Sequence, residues 1–344
     1  MAPSVFVKGT SPPMQPLFLA NDASFWSDQF VNGLTTGSLY ALIALGYTMV
    51  YGVLQMINFA HGEVFMLGSF AGYGVMNAML GEDPGRAAIA FAILLALIAA
   101  MAASAATSVA LERIAYRPLR RAPRLAPLIS AIGASIFIQF LVIDLTSAKT
   151  TFYPDVDALF TWQLPWQSAP SQSFGAGFFE MQYIQLFLIA SSLVMMAFLY
   201  AVVQRTRTGR AIRAVSESPQ NASLMGIDVN RTIVIVFILG AAMAGVAGVL
   251  YGLFFQAIRG STGFLPGIKA FTAAVLGGIG SIPGAVLGGY ILGFAETMGR
   301  ELLDELPVIS LANQWRDVIA FSLLVLILIF RPNGILGAKV ARRA

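Results

Sequence analysis

Eight predominantly apolar runs follow one another along the chain: Phe30–Leu54, Ile57–Leu80, Ala87–Leu111, Leu128–Thr146, Tyr183–Val203, Thr232–Ile258, Gly267–Met298 and Val318–Phe330. Each run but the last has at least 18 residues, the length at which a helix crosses the hydrocarbon of a bilayer. Of the 344 residues, 57% are apolar and 11% charged. A soluble chain carries about 25% charged residues, so this one cannot cover itself with a water-compatible surface. It is read as an integral membrane protein. Lipid offers no partner to an unpaired backbone group, and the runs lack the alternation of barrel strands, so the spans are helices. The predicted fold class is an all-α polytopic membrane protein of about eight hydrophobic segments, at least one of them broken or re-entrant.

Charge sets the orientation. Arg113, Arg117, Arg120, Arg121 and Arg124 follow the third run, and Arg205, Arg207, Arg210, Arg213 and Arg231 the fifth. Arg331, Lys339, Arg342 and Arg343 close the chain. Cytoplasmic loops collect cations, so these segments are placed inside and the N-terminus outside. The net charge of +4 is then a matter of loop topology and does not call for nucleic acid. The domains read as a polar N-terminal tail over 1–29, which contains Lys8 and several prolines, a transmembrane domain over 30–337, and a basic cytoplasmic tail over 338–344. Within the transmembrane domain, 204–231 is a cytoplasmic docking segment.

This orientation requires Gly267–Met298 to begin and end on the outer side. As one helix it would span roughly 48 Å against a core of about 30 Å. Its middle, Gly277-Gly278-Ile279-Gly280-Ser281-Ile282-Pro283-Gly284, favours a turn over a continuous helix. The expectation is a re-entrant hairpin of two short helices; the alternative is one tilted, kinked span. A second interruption, Gln55–Glu63, brings polar groups into an apolar stretch. Transporters pair broken segments with the substrate path, so Asn58, His61, Glu63, Gly277, Gly278, Gly280 and Pro283 are the candidate pathway or gate residues.

Enzymatic chemistry finds little support. The chain has one histidine, His61, and no cysteine. It carries neither a His-Glu-x-x-His zinc pattern nor a phosphate-binding loop of the Gly-Lys-[Ser/Thr] type. No catalytic residue, metal or cofactor is assigned, and any ATP-driven work must come from a partner. His61 and Glu63, two apart, do not face each other on a helix. Either they line a gate near the cytoplasmic end of the first two spans, or they cap the second helix. Asp144, Lys269, Glu296 and Asp317 lie near run ends, where snorkelling explains them more simply than ion relays do. Glycine pairs such as Gly33 and Gly37, Gly248 and Gly252, or Gly284 and Gly288 mark close helix packing in lipid.

In the docking segment, Thr208–Val215 reads as a short basic helix. Ser218 and Pro219 form an N-cap and first-turn pair, and Gly226 stops the helix that follows. Two short helices make a rigid knob that a cytosolic partner can push; the alternative is an ordinary basic loop that obeys the charge rule. Gly209, Arg210, Arg213, Ala214, Ser218, Pro219 and Gly226 are the candidate docking residues.

Asn32-Gly33-Leu34, the stretch from Gly37 to Gly52, and Ile57-Asn58-Phe59-Ala60-His61-Gly62-Glu63-Val64 resemble LivH-type permeases. These are membrane subunits of branched-chain amino acid ABC importers. Glu112–Arg120, Gly267–Ala285 and Arg331-Pro332-Asn333-Gly334-Ile335-Leu336-Gly337 are similar to further blocks of that family, so the resemblance runs from Asn32 to Gly337. It implies ABC importer permease architecture in the inner membrane, without enzymatic activity. It also implies the company of a second related permease, two ATPase subunits and an external solute-binding protein. Thr208–Gly226 would dock the ATPases, and the substrate would be a branched-chain or related neutral amino acid. The rival readings are a urea or other small-solute permease of the same superfamily, and an ATP-independent channel or carrier.

Overall fold

The computed structural model describes residues 23–81, 84–120, 122–123, 125–161, 172–176, 179–304, 312–331 and 333–337. The N-terminal tail through residue 22 and the basic tail 338–344 lie outside them. The helices are α1 (Ala23–Leu54), α2 (His61–Met79), α3 (Arg86–Leu111), α4 (Leu125–Leu145), α5 (Asp157–Phe160) and α6 (Tyr183–Arg205). They continue with α7 (Arg207–Glu217), α8 (Pro219–Leu224), α9 (Val229–Phe255), α10 (Phe264–Gly277), α11 (Ile282–Asp304) and α12 (Ala312–Phe330). Two short antiparallel ribbons pair β1 (Thr151–Phe152) with β4 (Ala257–Ile258) and β2 (Ser173–Ala176) with β3 (Phe179–Gln182).

All eight apolar runs become helix, but not eight equal crossings. Among the described residues, five helices are long and apolar enough to span, and α10 with α11 adds a sixth segment bent by 120°. The most apolar windows of α1 and α9 are 83% and 78% buried, while those of α4 and α6 are 22% buried. The first two are therefore the centre of the bundle and the last two its lipid-facing rim. α1 starts at Ala23, seven residues before the apolar run, because a helix propagates into polar sequence once its core-facing turns are anchored.

Glycine makes the centre possible. A Cβ on Gly33 or Gly37 would fall on Phe294 or Tyr290 of α11, and one on Gly248 would meet the backbone of Ser69 in α2. These helices approach by backbone contact, the packing that small residues permit in lipid.

The run Gly267–Met298 folds as a hairpin of unequal arms. α10 has 14 residues and α11 has 23, about 21 Å and 34 Å of helix. The two helices are of unequal length, and only together are they long and apolar enough to make one bent segment, as a broken or re-entrant hairpin requires. The turn falls where the glycines put it, with Gly278 at φ +102° and Gly280 at φ +96°, values costly for any residue with a Cβ. Ser281 Oγ accepts from the amide of Gly284 (3.2 Å) at the start of α11. The end of the chain completes the turn: Ile335 and Leu336 donate their amides to the carbonyls of Leu276 and Gly277, both at 2.9 Å. The segment after α12 therefore satisfies acceptors that the end of α10 would otherwise leave bare.

Candidate functional site

α2 does not start at the end of the bundle. After α1 ends at Leu54, Gln55 takes a left-handed turn at φ +54°. The irregular stretch Gln55–Ala60 then climbs back among the helices. His61, the first residue of α2, lies against Gly46 of α1, which in turn packs on Gly240, near the middle of the 27-residue α9. The expected position of His61 and Glu63 near a span end is therefore wrong. Hydropathy registers how apolar a run is and carries no information on depth, so a helix beginning half-way through the bundle looks like any other.

A polar cluster surrounds this buried start. His61, Glu63 and Asn58 are 1%, 1% and 3% exposed. The Tyr116 hydroxyl donates to Asn58 Oδ1 at 2.6 Å, Ser135 Oγ donates to Glu63 Oε1 at 3.3 Å, and the Tyr47 ring centroid is 4.7 Å from that of His61. Asn58 Nδ2, His61 Nε2 and Glu63 Oε2 are buried without a protein partner. Unsatisfied polar atoms at this depth are costly and concentrate where function requires them. Facing the cluster, Gly62 touches Gly263 and Gly267, so the N-terminal ends of α2 and α10 meet. His61 and Glu63 point to different neighbours, as their spacing requires.

No local sequence pattern singles out Tyr116 or Ser135, although Tyr116 lies within the family-like block Glu112–Arg120. That block folds as one π-helical turn, Glu112–Tyr116, and a 3₁₀ turn, Arg117–Leu119. Buried Glu112 is ion-paired to Arg120, and Arg120 also donates to Asn230 Oδ1 at 2.7 Å. Tyr116 thus joins a clamped loop to the broken segment. Tyr116→Phe leaves Asn58 Oδ1 buried without its donor, which costs about 1–3 kcal/mol. Thermal unfolding of the detergent-solubilised protein is expected to show that loss, and Asn58→Leu added to Tyr116→Phe is expected to cost less than the two changes summed.

Gly277, Gly278, Gly280 and Pro283 are not brought to this cluster. They form the hairpin turn at one end of the bundle, where Gly280 and Pro283 line a cavity of about 580 Å³ shared with Thr48, Gln55, Arg213 and Ser216. The candidate pathway residues therefore fall in two places, one mid-bundle and one at the end that carries α7.

The docking candidates do assemble as two short helices. Thr206 Oγ1 accepts from Gly209 N (3.0 Å) and Ser218 Oγ from Asn221 N (3.3 Å), with Pro219 in the first turn. Gly209 is packed on the carbonyls of Val202 and Val203, where no Cβ fits, and Arg213 donates to the Val203 carbonyl. Ala214 is half-buried and Arg210 exposed. Gly226 takes φ +80° and ends the pair. Leu224 and Met225, unremarked in sequence, project at 84% and 82% exposure.

A third set corrects the snorkelling reading. Lys269 Nζ lies 3.0 Å from Glu296 Oε1 and 2.7 Å from Asp317 Oδ1, and the Tyr40 hydroxyl donates to Glu296 Oε2 at 2.8 Å. Lys269 and Glu296 are buried because α10 lies inside the bundle, where a long side chain finds carboxylates closer than water.

Residues 29–328 match the family described as the permease component of branched-chain amino acid transport systems. The chain belongs to that family. It is 46% identical over 311 residues to the high-affinity branched-chain amino acid transport system permease protein BraD of Pseudomonas aeruginosa, covering 90% of this chain and 95% of that one. It is 45% identical over 315 residues to LivH of Escherichia coli K12, covering 91% and 96%. Among solved structures, an inward-facing metal-chelate type ABC transporter aligns over 87% of this chain and 86% of that one, at 14% identity and a TM-score of 0.47. This family member is a multi-pass membrane protein built of helices.

Proposed function

We propose that this permease is the non-catalytic translocation subunit of an ATP-driven importer for branched-chain or related neutral amino acids in the inner membrane. The observation that carries the reading is identity of 45–46% over nine-tenths of the chain to permeases of that named function. A second related permease, two cytoplasmic ATPases and an external solute-binding protein complete the importer. The π-turn loop, α7–α8 and the segment after α12 gather at one end of the bundle with their arginines; that end is cytoplasmic and the N-terminus external. Gly209, Arg210, Arg213, Ala214, Ser218, Pro219 and Gly226 hold the surface on which the ATPases act. Asn58, His61 and Glu63 form a mid-membrane gate, and Gly277, Gly278, Gly280 and Pro283 shape the cytoplasmic mouth.

In this mechanism ATP-driven closure of the ATPases moves α7–α8. Arg213 and Ser216 share a cavity with the hairpin turn, so that movement reaches Gly280 and Pro283 directly. Vesicles holding this chain with its permease partner and ATPases are expected to accumulate leucine only with ATP and binding protein, and vesicles lacking the ATPases are expected to accumulate none. Concentrative leucine uptake without ATPases, or uptake of urea in place of leucine, would overturn the reading.

A further inference from the structure

The buried charges of Lys269 and Glu296, on the side of the bundle away from the hairpin turn, border open space. Two adjoining cavities of about 320 and 310 Å³ share Thr36, Tyr40, Phe255, Lys269 and Arg316. The first continues between Leu39, Ile43, Tyr251 and Leu265, an apolar stretch bordered by the hydroxyls of Ser261 and Thr262. The second is walled by Glu296, Thr297, Arg300 and Glu301. Their combined size is that of a small-molecule site.

Three features set this place apart from a structural ion pair. Lys269 and Glu296 have side chains only 9% and 3% exposed, yet both line cavity instead of packed core. Lys269 faces two carboxylates, buried Glu296 and Asp317, whose side chain is 41% exposed. Nearby Arg316 Nε is buried with no protein acceptor. Taking such charges out of water is expensive unless every one is matched. Here both signs are held a few ångströms apart at the border of an apolar lobe.

From this arrangement we infer that the pocket is a transit site for the free amino acid, in which the zwitterionic head and the aliphatic side chain are held separately. The substrate carboxylate meets Lys269 and Arg316, and the ammonium meets Glu296. The aliphatic chain lies in the lobe of Leu39, Ile43 and Leu265. On entry the substrate exchanges its two charges for the Lys269 ion pairs, so little net charge is uncovered and the site binds weakly enough to release. This assignment rests on the importer reading given above. The site then requires both a carboxylate and an ammonium on its cargo: an anion alone would leave Glu296 facing it, and an amine alone would face Lys269.

The chain contains no cysteine, so Thr36→Cys places a single thiol in it, at the border of the two lobes. In the assembled transporter in vesicles, the rate at which N-ethylmaleimide labels this chain is the readout. Leucine at tens of millimolar is expected to slow labelling at least threefold. Isocaproate, which lacks the ammonium, and isoamylamine, which lacks the carboxylate, are expected to slow it by less than 1.5-fold. Lys269→Met is expected to abolish protection by leucine; Arg316→Gln, at a half-buried position, gives the same test should Lys269→Met not assemble with the ATPases. Labelling unchanged by leucine, or slowed equally by all three compounds, overturns the inference. If the unmodified transporter accumulates leucine under ATP while the thiol is unprotected, the pocket assignment alone fails. Absence of any branched-chain uptake by the unmodified transporter overturns the importer reading beneath it.

Discussion

Gly277→Val is expected to abolish uptake and to reduce the amount of permease in the membrane more than tenfold. A Cβ at this position would coincide with the Gly284 carbonyl and lie 2.9 Å from the amide nitrogen of Ala285. Both obstacles are backbone, so no rotamer change relieves them, and the hairpin arms would have to separate. Separation would also pull the Gly277 and Leu276 carbonyls away from the amides of Leu336 and Ile335, leaving polar groups unpaired at the edge of the membrane. Overpacking alone costs about 1–3 kcal/mol, and two lost backbone hydrogen bonds add about 1–3 kcal/mol each when the groups stay buried. A glycine with free surroundings gives the comparison: a Cβ on Gly74 meets nothing within 4 Å, so Gly74→Ala is expected to change abundance less than twofold. Immunoblots of membranes and leucine uptake measure both. Normal abundance of Gly277→Val would show that the arms are not in backbone contact.

The position of that turn could be read from residues 277–284, because glycine and proline act locally. The same is true of the helix pair α7–α8, where Thr206, Ser218, Pro219 and Gly226 each do their work within three residues. Depth could not be read. The start of α2 at mid-bundle depends on Gly46, Gly240 and Gly263 leaving room from three other elements, and no local pattern around His61 announces them. Lys269 and Glu296 look terminal by run boundaries, yet they face each other because α10 and α11 fold back upon one another. Contacts such as Tyr116 with Asn58, 58 residues apart, belong to the tertiary fold alone.

Leu224→Glu combined with Met225→Glu is expected to eliminate ATP-driven uptake while leaving the permease in the membrane at normal abundance. These two side chains are more than four-fifths exposed, so the bundle loses almost no packing when they change. Large apolar groups displayed in this way on a water-facing tip mark a contact surface. If each is an anchor worth about 2 kcal/mol, losing both weakens docking by roughly a thousandfold. The carboxylates add their own desolvation cost on top. The tip is braced from behind by Arg213 on the Val203 carbonyl and by Gly209 against α6, so the mutant surface keeps its shape. Copurification of the ATPases with the tagged permease is the direct measurement; undiminished recovery would place the docking surface elsewhere.

The glycine seam between α1 and α11 limits how such a machine can change shape. Gly289 and Gly293 meet the backbone of Ala41 and Gly37, and Tyr40 and Ser38 add hydrogen bonds to Glu296 and Tyr290. Two helices touching along their main chains cannot slide by a fraction of a turn, since the next register offers no matching groove. They behave as a stator. Any swing between outward and inward access then falls to the loosely held periphery, α4 and α6, and to the unwound Gln55–Ala60, whose irregular backbone can absorb a rotation that a continuous helix would resist.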